Sequence, residues 1–119
     1  MTATPDLKEL IIEGIQERKG HNIKVIDLSK IESSPASTFI IAEGNSTTQT
    51  AAIADSVEEY VRKAVSVKPY SIDGLRTADW VVMDYGDIWV HIFIPETRSR
   101  YRLEELWSDA DITDIPDLD

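Results

Sequence analysis

Helical spacing of apolar residues marks two segments of the chain. The first lies between Pro5-Asp6 and Lys19-Gly20, and its apolar residues recur at three- and four-residue intervals: Leu7, Leu10, Ile11 and Ile15. The second begins after Ser46-Thr47-Thr48-Gln49, which has the spacing of a capping box. It runs to about residue 65, and its predicted buried stripe contains Ile53, Val57, Tyr60, Val61 and Ala64.

Short apolar runs predict the strands. Residues 23–28 form one run, and residues 38–42 form a nearly all-apolar run that is typical of a strand buried on both faces. Residues 78–93 contain two β-forming runs around an Asp-Tyr-Gly-Asp corner, where Gly86 can adopt a positive φ without steric strain. We therefore predict a central β-hairpin at this position.

The predicted order of elements is α-β-β-α-(β)-β-β-α, because a short helical segment also follows the hairpin at residues 98–107. This order favours an α/β (α+β) fold in which a single mixed β-sheet is flanked by helices. Residues 1–107 form one predicted domain. Residues 108–119 are acidic and contain Pro116, and we expect them to be a mobile tail.

Composition narrows the possible partners and locations. The chain has 119 residues, no cysteine and a formal net charge of −10. The absence of cysteine excludes disulfides and cysteine-bound zinc. We expect a cytoplasmic protein, since the N-terminus lacks the features of a secretory signal and the missing cysteine fits a reducing compartment. The negative charge argues against direct DNA or RNA binding and against anionic membranes. It suits a basic protein partner, although on charge alone plain solubility is the favoured explanation.

Several groups of residues could in principle support chemistry, but each has a simpler explanation. Gly44-Asn45-Ser46 could hold a phosphate at a helix N-terminus, and the capping box already accounts for it. Asp84 and Asp87 could bind a divalent cation, but acidic residues are common in turns. His21 and His91 form no metal-binding motif. We therefore predict no catalytic site, no cofactor and no metal.

Basic and aromatic residues near the hairpin are the remaining candidates. Arg98, Arg100 and Arg102 could bind an anion, or they could pair with the glutamates that surround them. Trp80, Tyr85 and Trp89 lie close to the hairpin corner and are accompanied by Asp79, Asp84 and Asp87. Aromatic residues are enriched both in cores and at protein interfaces, so their number alone does not decide between the two.

The chain resembles the ribosomal silencing factor family, which is also called RsfS or Iojap-like. The resemblance extends from Leu7 to Trp107 and rests on motifs in a fixed order. These are residues 26–28, 39–46, 49, 52–58, 74, 78–87, 90–93 and 101–107. The most specific part is Asp-Trp, Asp-Tyr-Gly-Asp and Val-His, followed by Tyr-x-Leu-Glu-x-Leu-Trp.

The resemblance implies a non-enzymatic factor with a fold similar to that of nucleotidyltransferases. Such a factor binds the large ribosomal subunit through ribosomal protein fourteen (uL14), blocks subunit joining and represses translation. We expect Tyr85 to be exposed at the corner, and the predicted contact comprises Trp80, Asp84, Tyr85, Gly86, Asp87, Arg98 and Tyr101. The alternative is a nucleotide-handling enzyme with residual nucleotidyltransferase-like activity, carried by Ser46, Asp84 and Asp87. A homodimer through an edge strand is a further expectation.

Overall fold

Four helices and six strands are seen in the computed structural model, which describes residues 6–118. In chain order they are α1 (Leu7–Glu17), β1 (His21–Asp27), β2 (Thr38–Glu43), α2 (Thr47–Val65), β3 (Ser71–Asp73), β4 (Trp80–Asp84), β5 (Ile88–Phe93), α3 (Pro95–Tyr101), α4 (Leu103–Leu106) and β6 (Asp111–Ile115). The strands form one sheet in the order β3-β4-β5-β2-β1-β6. Only β2 and β5 are parallel neighbours, so the predicted mixed sheet with flanking helices is confirmed.

Both long helices begin at capping residues that the sequence contains. The Asp6 carboxylate accepts a hydrogen bond from the backbone N–H of Lys8 at the start of α1. At the start of α2, Ser46 Oγ accepts from the Gln49 N–H at 3.1 Å, and Gln49 Oε1 accepts from the Asn45 N–H at 2.6 Å. The Ser46 half of the predicted capping box is therefore confirmed, whereas the Gln49 side chain binds the N–H of the residue before the cap.

The buried stripe of α2 follows four-residue intervals. Ile53, Val57 and Val61 are buried, and Val65 packs against them from a half-buried position. This spacing turns Ala64 away from the core, and the structure places it on the surface. The prediction that Ala64 belongs to the buried stripe is wrong for that reason.

Alternation along the strands divides the sheet into two faces. One face packs beneath α1 and α2 and contains Ile23, Val25, Ile40, Val81 and Val90. The other face packs against the segment after β1 and against α4, and it contains Ile26, Phe39, Ile41 and Phe93. Since residues of β2 are used on both faces, this strand has an almost continuous apolar sequence, as predicted.

The predicted hairpin is confirmed as β4 and β5. Val82 lies opposite His91 in the antiparallel ladder, and Gly86 turns the corner with a φ of 92°. β5 then continues into the centre of the sheet beside β2.

The C-terminal segment extends the sheet. Residues 108–119 were expected to lie outside the domain, yet Asp111–Ile115 pairs with β1 as the edge strand β6. Lys24 Nζ donates to Asp114 at 2.8 Å, and the backbone N–H of Asn22 donates to Asp117 at 2.9 Å. The sheet therefore continues past residue 107, because contacts with residues about 90 positions earlier hold residues 111–117 against β1.

Among residues 6–118, no helix is both long and apolar enough to cross a membrane.

Candidate protein-binding face

The sheet face opposite α1 and α2 is rich in aromatic side chains. Alternation places every second residue of β4 and β5 on it: Trp80, Val82, Asp84, Trp89, His91 and Phe93. Phe39 of β2 lies beside Trp89, while Tyr101 and Trp107 approach from the helical segment. We call these nine residues the aromatic face.

Ring packing holds the aromatic face in one arrangement. The Trp80 ring lies 5.0 Å from that of Phe93 and 4.6 Å from that of Tyr101, measured between centroids. Phe39 stacks on Trp89 at 5.9 Å and meets the edge of Trp107 at 6.0 Å. Rings fixed in this way lose little conformational entropy when a partner covers them, which favours binding.

Part of this face is open to solvent and bordered by acidic groups. Trp80, Val82 and Trp89 are half-buried, and Tyr101 keeps 50% of its surface exposed. Asp73, Asp84 and Asp87 lie around them, and within residues 6–118 none of these three forms an ion pair. An apolar centre with a negative border is complementary to a basic protein surface.

The hairpin corner differs from the prediction. Tyr85 is only 6% exposed, because it shares its face with Val81 and Met83 beneath the helices. Burial raises the pKa of its hydroxyl well above the ordinary value. The expectation that Tyr85 is exposed is therefore wrong, and Tyr85→Ala would remove part of the core. Gly86 and Asp87 do lie on the surface.

A different tyrosine is exposed at the corner. Tyr70 is 83% exposed, and its backbone N–H donates to the Asp84 carbonyl at 2.7 Å. Its ring lies over Gly86, with Cε2 only 3.2 Å from the position that a Cβ would occupy there. Sequence reasoning missed Tyr70, since a lone tyrosine after Pro69 belongs to no pattern. It became a candidate only when the fold brought it to the corner.

Arg98 lies in a buried ionic cluster and not on an open surface. It is 8% exposed, and its guanidinium Nε donates to Glu104 at 2.6 Å. Its Nη1 donates to the Asn22 carbonyl at 2.6 Å and lies 3.3 Å from Glu43, which is 9% exposed. The ion-pairing explanation is therefore confirmed for Arg98, although Glu43, the buried partner, was not foreseen. Arg102 forms a longer, exposed pair with Glu105 at 3.6 Å.

His91 is neutral and oriented by its neighbour. The Trp80 indole N–H donates to His91 Nδ1 at 3.1 Å, so Nδ1 is unprotonated and the imidazole proton is on Nε2. Burial of the ring lowers the pKa of His91 from its ordinary 6.5 to about 4.

Acidification is expected to destabilise the protein through His91. The unfolded state takes up this proton near pH 6.5 and the folded state only near pH 4, so stability is full above pH 6.5 and falls between these values. Protonation of His91 can lower the free energy of unfolding by at most about 3 kcal/mol. His91→Asn keeps an acceptor for Trp80 but cannot titrate. Urea unfolding from pH 7.5 to 4.5 should give a steeper loss in the parent protein than in this variant; equal slopes would contradict the assignment.

The three residues of the enzymatic alternative are not brought together. Ser46 follows the end of β2 and is occupied as a helix cap, whereas Asp84 and Asp87 lie at the opposite end of the neighbouring β5. Five strand residues separate the two ends by about 17 Å. The carboxylate of Asp84 accepts a hydrogen bond from the Gly86 N–H at 2.7 Å. In the described part of the chain, no three histidine or carboxylate side chains are grouped closely enough to hold a metal ion.

Known proteins resemble this chain in both sequence and structure. The family model described as "Ribosomal silencing factor during starvation" (RsfS) matches residues 2–119. Ribosomal silencing factor RsfS of Zymomonas mobilis is 36% identical over 110 residues, which are 92% of this chain and 81% of that protein. The Mus musculus protein named "Mitochondrial assembly of ribosomal large subunit protein 1" is 29% identical over 84% of this chain and 44% of its own length. A crystal structure from Chromobacterium violaceum matches with a TM-score of 0.81 at 33% identity, covering 90% of this chain and 88% of that one.

Proposed function

The chain belongs to the ribosomal silencing factor (RsfS) family, and from this premise we propose that it represses translation by binding the large ribosomal subunit. Its relatives include a protein whose name refers to assembly of the large subunit, which supports that choice of subunit. Within the subunit we propose ribosomal protein fourteen as the direct partner. A bound copy would then prevent the small subunit from joining by occupying the same space.

The open part of the aromatic face is the observation that carries this proposal. Fixed rings of Trp80 and Tyr101 offer apolar area at one end of the hairpin. Asp84 and Asp87, which form no ion pair among residues 6–118, lie at its corner end. A basic ribosomal protein would bury the rings and neutralise the carboxylates, whereas an RNA surface would be repelled by the net charge of −10. We propose that Trp80, Tyr101, Asp84, Gly86 and Asp87 make the contact, with Tyr70 beside them.

Two of the predicted contact residues take a supporting role in this proposal. Tyr85 and Arg98 are buried, so they would shape the surface without contributing much of its area. Tyr85 supports the corner from the helix side of the sheet, and Arg98 fixes α3, which contains Tyr101, to β2.

Steric repression requires no turnover, and this distinguishes it from the enzymatic alternative. We expect the protein to co-sediment with large subunits and not with small ones. We also expect it to slow the association of separated subunits without nucleotide, and inhibition should saturate at about one copy per large subunit. Light scattering during subunit association measures this effect directly.

The order of addition and the dose provide the controls. Added to subunits that are already joined, the protein should have little immediate effect, because the small subunit covers the site. Full inhibition by trace amounts, or inhibition that requires ATP or GTP, would contradict the steric mechanism. Either result would favour the nucleotide-handling enzyme instead. Co-sedimentation with both subunits or with neither would reject the proposed partner. The cytoplasmic location of the protein stays a prediction.

A further inference from the structure

The outer edge of β6 has no neighbouring strand among residues 6–118. β6 is the last strand of the sheet, and it pairs with β1 on its inner side only. Asp111, Ile112, Thr113 and Asp114 are exposed, and only Ile115 is half-buried. Such an edge presents backbone N–H and C=O groups to which another strand can bind. Pro116 ends the available length, because it has no N–H to donate.

The charge pattern of this edge selects what can bind there. Residues 103–118 contain Glu104, Glu105, Asp109, Asp111, Asp114 and Asp117 but no lysine or arginine. In the ladder with β1, Asp111 lies directly opposite Asp27, so two like charges face each other. A cation placed beside Asp111 would be attracted by both carboxylates. A second copy of the chain would instead add further carboxylates.

We propose that the free edge of β6 binds a basic, extended segment of a partner protein as a seventh, antiparallel strand. This edge lies four strands away from β4, which contains Trp80, although Ile112 and Asp114 point to the same side of the sheet as the aromatic face. The inference does not depend on the function proposed above. Backbone hydrogen bonds would supply the affinity, and the side chains of β6 would set the register.

The register follows from the alternation of β6. Asp111, Thr113 and Ile115 point to the helix side of the sheet, whereas Ile112 and Asp114 point to the aromatic side. Read from its N-terminus, an antiparallel guest passes Ile115, Asp114, Thr113, Ile112 and Asp111 in turn. It therefore needs basic residues at its second and fifth positions and an apolar residue at its fourth.

A labelled synthetic peptide, Thr-Lys-Thr-Val-Lys-Thr, tests the register by fluorescence anisotropy. The control peptide Lys-Val-Lys-Thr-Thr-Thr has the same composition but presents both lysines on one face. We expect the first peptide to bind at least about tenfold more tightly than the control. Equal affinity of the two peptides, or no binding of either, would overturn the proposal.

Charge-matched variants test the location. Asp111→Asn with Asp114→Asn should weaken binding of the first peptide by about tenfold or more, because both carboxylates that face its lysines are lost. Asp114 also accepts from Lys24, so Asp111→Asn alone, which keeps that pair, should still weaken binding by about threefold or more. Glu105→Gln with Asp109→Asn removes the same charge outside the strand, and here we expect less than about a twofold change. Equal losses in both variants would indicate non-specific attraction and reject the site.

Amide hydrogen exchange locates the bound peptide independently. Slower exchange at residues 111–115 is expected, and protection confined to the aromatic face would reject the β6 edge. Ribosome co-sedimentation of the Asp111→Asn, Asp114→Asn variant distinguishes the β6 edge site from the proposed ribosome contact on the aromatic face. Unchanged co-sedimentation together with lost peptide binding would support the edge site without bearing on the aromatic face.

Discussion

Replacing Arg98 with alanine is expected to lower the free energy of unfolding by about 3–5 kcal/mol. The guanidinium lies between Glu43 and Glu104 and donates to the Asn22 carbonyl, and it is almost entirely buried. Without it, the Glu43 carboxylate would remain buried with its strongest cationic partner missing. Urea unfolding followed by tryptophan fluorescence measures the loss, since the Trp80 ring contacts Tyr101 of α3 and Trp107 directly follows α4.

Arg102→Ala is the matched control for this change. It also removes an arginine from the same segment, but its pair with Glu105 is exposed and 3.6 Å long, so we expect a loss of at most about 1 kcal/mol. Adding Glu43→Gln to Arg98→Ala should recover part of the stability, because it removes a buried charge whose remaining contacts are the Asn22 amide at 3.0 Å and His21 at 3.5 Å. Equal effects of Arg98→Ala and Arg102→Ala would contradict the buried-cluster interpretation.

Replacing Tyr101 with alanine is expected to weaken binding to the large subunit by about 30-fold, or roughly 2 kcal/mol. Half of the side chain is exposed, and its ring rests on Trp80 at 4.6 Å, so a partner would bury a fixed aromatic anchor. Because Tyr101 is only partly buried, the melting temperature should change much less than it would for a core residue. Co-sedimentation at several protein concentrations measures the affinity.

Leu118→Ala provides the comparison for Tyr101→Ala. Leu118 is also largely exposed and apolar, but it lies near α1 at the other side of the sheet, so its removal should leave ribosome binding unchanged. Tyr70→Ala then tests whether the corner belongs to the contact. Unchanged binding of a folded Tyr101→Ala protein would remove the aromatic face from the proposed site. Equal losses for Leu118→Ala and Tyr101→Ala would indicate an effect that is not specific to that face.

The local elements were predictable because short-range rules determine them. The capping box at Ser46 and Gln49 involves residues three apart, and the hairpin corner requires the conformational freedom of Gly86. The continuous apolar sequence of β2 also indicated a strand buried on both faces, and the structure has it there. In each of these cases the decisive contacts or preferences lie within a few residues along the chain.

Contacts between distant residues decided what the sequence left open. Tyr85 is in the core because α1 and α2 pack over its side of the sheet, whereas Tyr70, fifteen positions earlier, reaches the corner only because β3 pairs with β4. Arg98 was predicted to pair with glutamates near it in the sequence, but burial beside Glu43 requires α3 to pack against β2.

The order of elements up to the helical segment after β5, the central hairpin and the family could all be predicted from the amino-acid sequence. Long-range packing determines which tyrosine is exposed and that residues 111–115 form a strand. β6 contains too few apolar residues to indicate a strand, and it forms one because β1 offers a free edge and Lys24 binds Asp114. Side-chain alternation and turn chemistry are local properties that one stretch of sequence specifies. Side-chain exposure and the pairing of an edge strand depend on residues far apart in the sequence, which only the folded chain brings into contact.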